Sequence, residues 1–121
     1  MDKEELKNRT KNFALRILKL SRTLNNNMQE KIIAKQILRS GTSVAANYRA
    51  ALRGKSKADF ISKLGIVIEE ADETMFWLEL IMEDKILRKE LIENLYRENN
   101  EIVAIMVTTR NTAIKNKKSE I

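Results

Sequence analysis

Cysteine, histidine and proline are absent from the 121 residues, and glycine occurs only three times. Without cysteine or histidine the chain can form no disulfide, no zinc site of the usual ligands and no imidazole base, so no metal or other cofactor is expected. No proline and few glycines leave too little turn chemistry for a many-stranded fold. Aromatic residues are 5% of the chain, too few for an array of base-stacking platforms. The longest wholly apolar run, IVAIMV at 102 to 107, is far too short to cross a bilayer. The charged start, MDKEELKNRT, has no apolar signal segment. These absences predict an all-α, cytoplasmic protein with no membrane partner, folded as one domain over 1–121.

What is present is 43% apolar residues, set at helical intervals. Leu6, Phe13, Ile17, Leu20 and Leu24 share one face of a helix over 3–24. NNN at 25 to 27 breaks it, and Asn27 with Glu30 has the form of a capping box for the next helix. Over 28–53, Ala34, Ile37, Gly41, Val44, Tyr48 and Ala51 make the second stripe. Gly41 lies inside that stripe, where no strand or second glycine exists to build a phosphate loop. It is expected to let a neighbouring helix approach closely, offsetting the ~1 kcal/mol that a mid-helix glycine costs.

Gly54 suits a position just past a helix end, and Ser56 with Asp59 starts a third helix over 57–83. Its seam is Phe60, Leu64, Val67, Ala71, Thr74, Leu78 and Ile81. The fourth helix, 88–115, carries Ile92, Leu95, Ile102, Met106, Thr109 and Ala113; DKIL before it offers no strong cap, and 116–121 should fray. Four amphipathic segments joined by short turns predict an antiparallel up-down-up-down four-helix bundle.

Charge is distributed unevenly. Residues 1–60 hold 14 basic and 5 acidic residues, whereas 61–121 hold 9 and 12. Lys31, Lys35 and Arg39 are followed eighteen residues later by Arg49, Arg53 and Lys57, and eighteen residues make five helical turns at 3.6 per turn. A straight helix places them on one stripe opposite Ile37, Val44 and Tyr48, though the turn at Gly54 weakens the claim of Lys57. A solvated face ordinarily mixes signs. A single-sign ridge about 30 Å long concentrates positive potential where an RNA or DNA backbone could lie, with strong salt dependence and little sequence readout.

Phe76, Trp77 and Leu80 sit away from the main apolar face of the third helix, beside Glu69, Glu73 and Glu83. They are candidates for an oligomer interface, with core-edge packing of Trp77 in its own subunit as the alternative. An intersubunit contact could pair this acidic edge with a neighbour's basic helix. Catalysis is not expected: Ser40, Thr42 and Ser43 lack a histidine base, and Glu69, Glu70, Asp72 and Glu73 point around the helix instead of converging on a metal.

The stretch RSGTSVAANYRAALRGKSKADFISKLGIVIEEADETMFWLEL, framed by Arg39, Ser43, Asn47, Arg53, Ser56, Phe60, Leu64, Glu70 and Leu78, resembles the 23S rRNA intervening-sequence protein family. The resemblance implies an antiparallel four-helix bundle assembled as a cyclic homopentamer, with an unsettled biochemical role and no catalytic residues to carry over. A related branch, the accessory variability proteins of diversity-generating retroelements, is similar in fold and implies binding to a reverse transcriptase and nucleic acid. Many members carry Ile-Ala-Glu-Gly where this chain has Tyr48, Arg49, Ala50 and Ala51, which removes a carboxylate and adds a cation here.

Overall fold

A computed structural model describes residues 1–119 as four helices, with no strand among the described residues: α1 (Lys3–Thr23), α2 (Met28–Leu52), α3 (Lys57–Glu83) and α4 (Lys89–Ser119). The first three match the expected spans to within a residue. The fourth runs four residues past 115, so residues 116–119 of the expected frayed tail are helical, and 120–121 lie outside the described residues.

Side-chain caps start three of the helices. Asp2 Oδ1 accepts from the Glu5 N–H at 2.8 Å, Asn27 Oδ1 from Glu30 at 2.9 Å and Ser56 Oγ from Asp59 at 3.1 Å. Each satisfies a donor that the first helical turn leaves unpaired, typically about 1 kcal/mol. Gly54 does not take the left-handed conformation. Its role is clearance: a Cβ there would lie 2.9 Å from Asp59 Oδ2 and 3.0 Å from the Ala51 carbonyl oxygen.

The connection at DKIL does carry a cap. Lys85 adopts φ 56°, its N–H donates to the Met82 carbonyl at 3.2 Å, and the Ile86 N–H donates to Ile81 at 3.0 Å. This is a Schellman motif with lysine in the place glycine usually takes, which is why no glycine signalled it.

The apolar stripes meet in one core. Ile17, Ile37, Val44, Leu64, Val67, Ala71, Leu78, Ile81, Ile102 and Met106 are fully buried, whereas Ala34, Phe60, Thr109 and Ala113 are only half-buried. Gly41 faces Ile17 in the closest helix approach of the molecule's glycines, confirming its packing role. Two polar contacts cross the core. Thr74 Oγ1 lies 2.8 Å from Ser40 Oγ, and Asn99 Nδ2 donates to the Ala71 carbonyl at 3.0 Å.

Sequential helices pack along their lengths, while α1 and α4 touch over far less. Near the start of α1, Arg9 holds α4 by a two-pronged ion pair with Glu98, both bonds 2.7 Å, and a further one with Glu101. Burial is partial on both sides of the Arg9–Glu98 pair, and Arg9 draws the Glu98 carboxyl below its ordinary range chiefly by direct hydrogen bonding.

Candidate nucleic-acid interface

Helix α2 buries Ile37, Ser40, Gly41, Val44, Tyr48 and Ala51 and turns Lys31, Lys35, Arg39, Arg49 and Arg53 outward, all exposed. The five-turn spacing therefore does place these cations opposite the core. Lys57 is exposed at the first position of α3, across the Gly54 turn.

Arg39 leans off the stripe toward α3. Its guanidinium donates to Glu70 at 3.2 Å and to Glu73 at 2.5 Å, and those hydrogen bonds, Glu73's first, raise its already high pKa. Glu73 is held low first by Trp77, whose indole Nε1 donates to it at 3.1 Å, and then by Arg39. The acidic edge of α3 is thus partly engaged by a cation of the same chain. Of the three candidate interface residues, Trp77 and Leu80 are half-buried, whereas Phe76 is 50% exposed, its ring edge-on to Trp77 with centroids 5.1 Å apart.

The α1 side of the stripe adds cations that sequence reasoning had not placed. Lys7, Asn8 and Lys11 of α1 and Arg49 of α2 wall a groove whose floor is Ala45 and Ala46. Two alanines in succession keep the floor low, so the longer side chains stand around it with no carboxylate among them. A second hollow at the Gly54 end is lined by Lys3 and Lys57 together with Ser56 and Asn116. The cationic surface is accordingly a face shared by α1 and α2. Periodicity assigns an outward phase to each helix separately and does not say which outward residues adjoin across helices.

The hydroxyls of the SGTS segment are occupied locally. Thr42 donates to the Leu38 carbonyl at 2.7 Å, and Ser43 Oγ accepts from Asn47 at 2.7 Å. Tyr48 is in the core. Phe76, on α3, is the exposed aromatic among the described residues, so the α1/α2 face offers charge without a stacking platform. No helix among the described residues is long and apolar enough to cross a membrane.

The structure defines a class: an all-α chain of four helices among the described residues, with Lys7 and Lys11 of α1 beside Arg49 of α2 around one groove. The chain belongs to the 23S rRNA-intervening sequence protein family, whose model matches residues 3–108. It is similar to a crystal structure of a protein of unknown function from the S23 ribosomal protein family of Bacteroides thetaiotaomicron, at 39% identity and a TM-score of 0.85, covering 92% of this chain and 99% of that one. No curated protein matches it.

Proposed function

We propose that the chain is a noncatalytic, cofactor-free, homo-oligomeric protein of the cytoplasm that binds RNA or DNA backbones through its α1/α2 face. Lys31, Lys35, Arg49 and Arg53 form the α2 row, Lys7 and Lys11 the α1 row, and Arg39 and Lys57 mark the edges. In this reading the helices run up-down-up-down. The order of cross-helix contacts supports that: Ile61, Ala71 and Glu79 of α3 meet Arg110, Asn99 and Tyr96 of α4, one series rising as the other falls.

The observation that carries the function is the acid-free groove of Lys7, Lys11 and Arg49 beside the exposed α2 cations. Phosphates held there would release counterions, giving affinity that falls steeply with salt and depends little on sequence. Binding of a fluorescent RNA duplex across a salt series tests it, and salt-independent affinity would exclude it.

A second reading is a protein scaffold or accessory subunit, for instance for a reverse transcriptase, the role implied by a related branch of the family that the sequence resembles; in either reading the homo-oligomer is a cyclic pentamer. The exposed Phe76 and Ile32 favour a protein contact on α2 and α3. Recovery of a partner that survives nuclease treatment and is lost in Phe76→Glu would support this reading.

A further inference from the structure

The cations of the α1/α2 face fall into two patches with an uncharged band between them. Along α1, Lys7, Lys11, Leu15, Leu18 and Arg22 succeed one another at spacings of 4, 4, 3 and 4, one line on the helix surface. Along α2 and into its cap, Lys31, Lys35, Leu38, Thr42, Ala45, Arg49 and Arg53 follow at 4, 3, 4, 3, 4 and 4. Ile17 meets Gly41, while Lys7 and Lys11, earlier in α1, stand beside Ala45 and Arg49, later in α2. In the up-down order proposed above, Arg22 then comes level with Lys35. One patch is Lys7, Lys11, Arg49 and Arg53, the other Arg22, Lys31 and Lys35. Leu15, Leu18, Leu38 and Thr42 form the band between them; Leu15 is 49% exposed and the other three are half-buried.

The remaining cations at the level of the band are turned away from it. Arg39 is bonded to Glu70 and Glu73 of α3, and Arg16 and Lys19 line the groove between α1 and α4. No acidic residue occurs from Lys7 to Arg22 or from Lys31 to Arg53. By helical rise the gap in charge is about 16 Å on α1, from Lys11 to Arg22, and about 21 Å on α2, from Lys35 to Arg49. The aromatic residues of these two helices, Phe13 and Tyr48, are both in the core.

We propose that this face takes the A-form double helix of RNA, with the two patches on the phosphates of opposite strands and the uncharged band across the minor groove between them. The inference rests on the backbone-binding reading above and on the antiparallel course of α1 and α2. A single strand is held by a cationic track that follows its backbone and by aromatic side chains that stack its bases. The α1/α2 face has a gap in its charge and no aromatic. A double helix offers phosphate, groove and phosphate in cross-section, the order in which the face offers patch, band and patch. The groove that fits is wide and shallow, because nothing in the band is long enough to enter a deep one. The minor groove of A-form RNA has that shape, whereas the major groove of B-DNA is about 8.5 Å deep and its minor groove only about 6 Å wide. Thr42, whose hydroxyl already donates to the Leu38 carbonyl, keeps its oxygen as an acceptor for a 2′-hydroxyl, the group that such a groove displays.

The test is the affinity of the full chain, at one fixed salt concentration, for an RNA duplex longer than the face, a DNA duplex of the same sequence and one RNA strand chosen to lack self-pairing. The RNA duplex should bind about tenfold more tightly than either of the others, because both patches then engage one stiff ligand together. Salt-dependent binding with equal affinity for all three, or with a preference for DNA or for the single strand, overturns the A-form assignment and leaves the backbone reading standing. Binding to none of them, or binding indifferent to salt, overturns both. A second measurement reads the pairing of the patches in Lys31→Gln/Lys35→Gln and, separately, in Arg49→Gln/Arg53→Gln, at low salt and with circular dichroism to show that each is folded. These positions are exposed, and neutral replacements leave the other patch able to bind. Each variant should lose most of the preference for duplex over single-stranded RNA, since one row of phosphates is no longer held. A preference that survives in both variants overturns the two-strand geometry.

Discussion

Ile17 fills the space in which residue 41 would carry a side chain: a Cβ built on Gly41 lies 2.8 Å from Ile17 Cγ1 and 2.9 Å from Cγ2. Both groups are in the core, and a branched side chain held close to its backbone has little room to yield. Gly41→Ala gains about 1 kcal/mol of helix propensity and loses roughly 1–3 kcal/mol to overpacking. A net loss of stability is expected in denaturant titrations. Ile17→Ala should relieve the clash, so the double variant should lose less than the two single losses combined.

Gly65 is the contrasting case. A Cβ there meets its nearest neighbour, Arg110 Nε, at 3.5 Å, which is ordinary contact. Gly65→Ala should therefore raise stability by about 0.5–1 kcal/mol, and a thermal melt of the two glycine variants side by side should move in opposite directions.

Lys85 holds the left-handed position of the α3 cap with an L side chain, a conformation that costs roughly 1–2 kcal/mol outside glycine. Lys85→Gly should stabilise the protein by about 1 kcal/mol, read as a higher denaturation midpoint at unchanged m-value.

The Arg9–Glu98 pair makes stability depend on acid. Glu98 titrates below its ordinary 4.5 in the folded chain, first because Arg9 donates to it. A carboxyl with a depressed folded pKa binds its proton more readily when unfolded, so its contribution is complete above about pH 4.5 and is lost as pH falls through the folded value. Glu98→Gln should lower stability at pH 7 by about 1 kcal/mol, with the gap to wild type narrowing below pH 4.5. Unfolding titrations of both proteins across pH 3–7 read this directly.

Much of the fold was legible in the sequence because helical burial repeats in one dimension. The stripes through Ile17, Val44, Leu64 and Ile102 reach the core as their spacing dictates, and the Asn27 and Ser56 caps follow from residues three apart. The Lys85 cap was hidden because its conformation comes from tertiary context and not from a glycine. The α2 row of the candidate interface was equally readable, since phase alone sets it opposite Val44 and Tyr48. Its α1 half was not, because the approach of Lys7 and Lys11 to Arg49 depends on how two helices are rotated against each other. The attachment of Arg39 to Glu70 and Glu73 is a contact of the same kind, more than thirty residues apart in the chain.

The most direct measurement is the dependence of RNA-duplex affinity on salt for the wild-type chain and for Lys7→Glu/Lys11→Glu/Arg49→Glu, with circular dichroism to show that both are folded. Five or six phosphates held by the α1/α2 face give a slope of log K against log salt of about −5, and reversing the three groove cations should flatten it by about 2–3 and weaken binding at least tenfold. Affinity indifferent to salt, or equal in the two proteins, would contradict the assignment of this face to a nucleic-acid backbone.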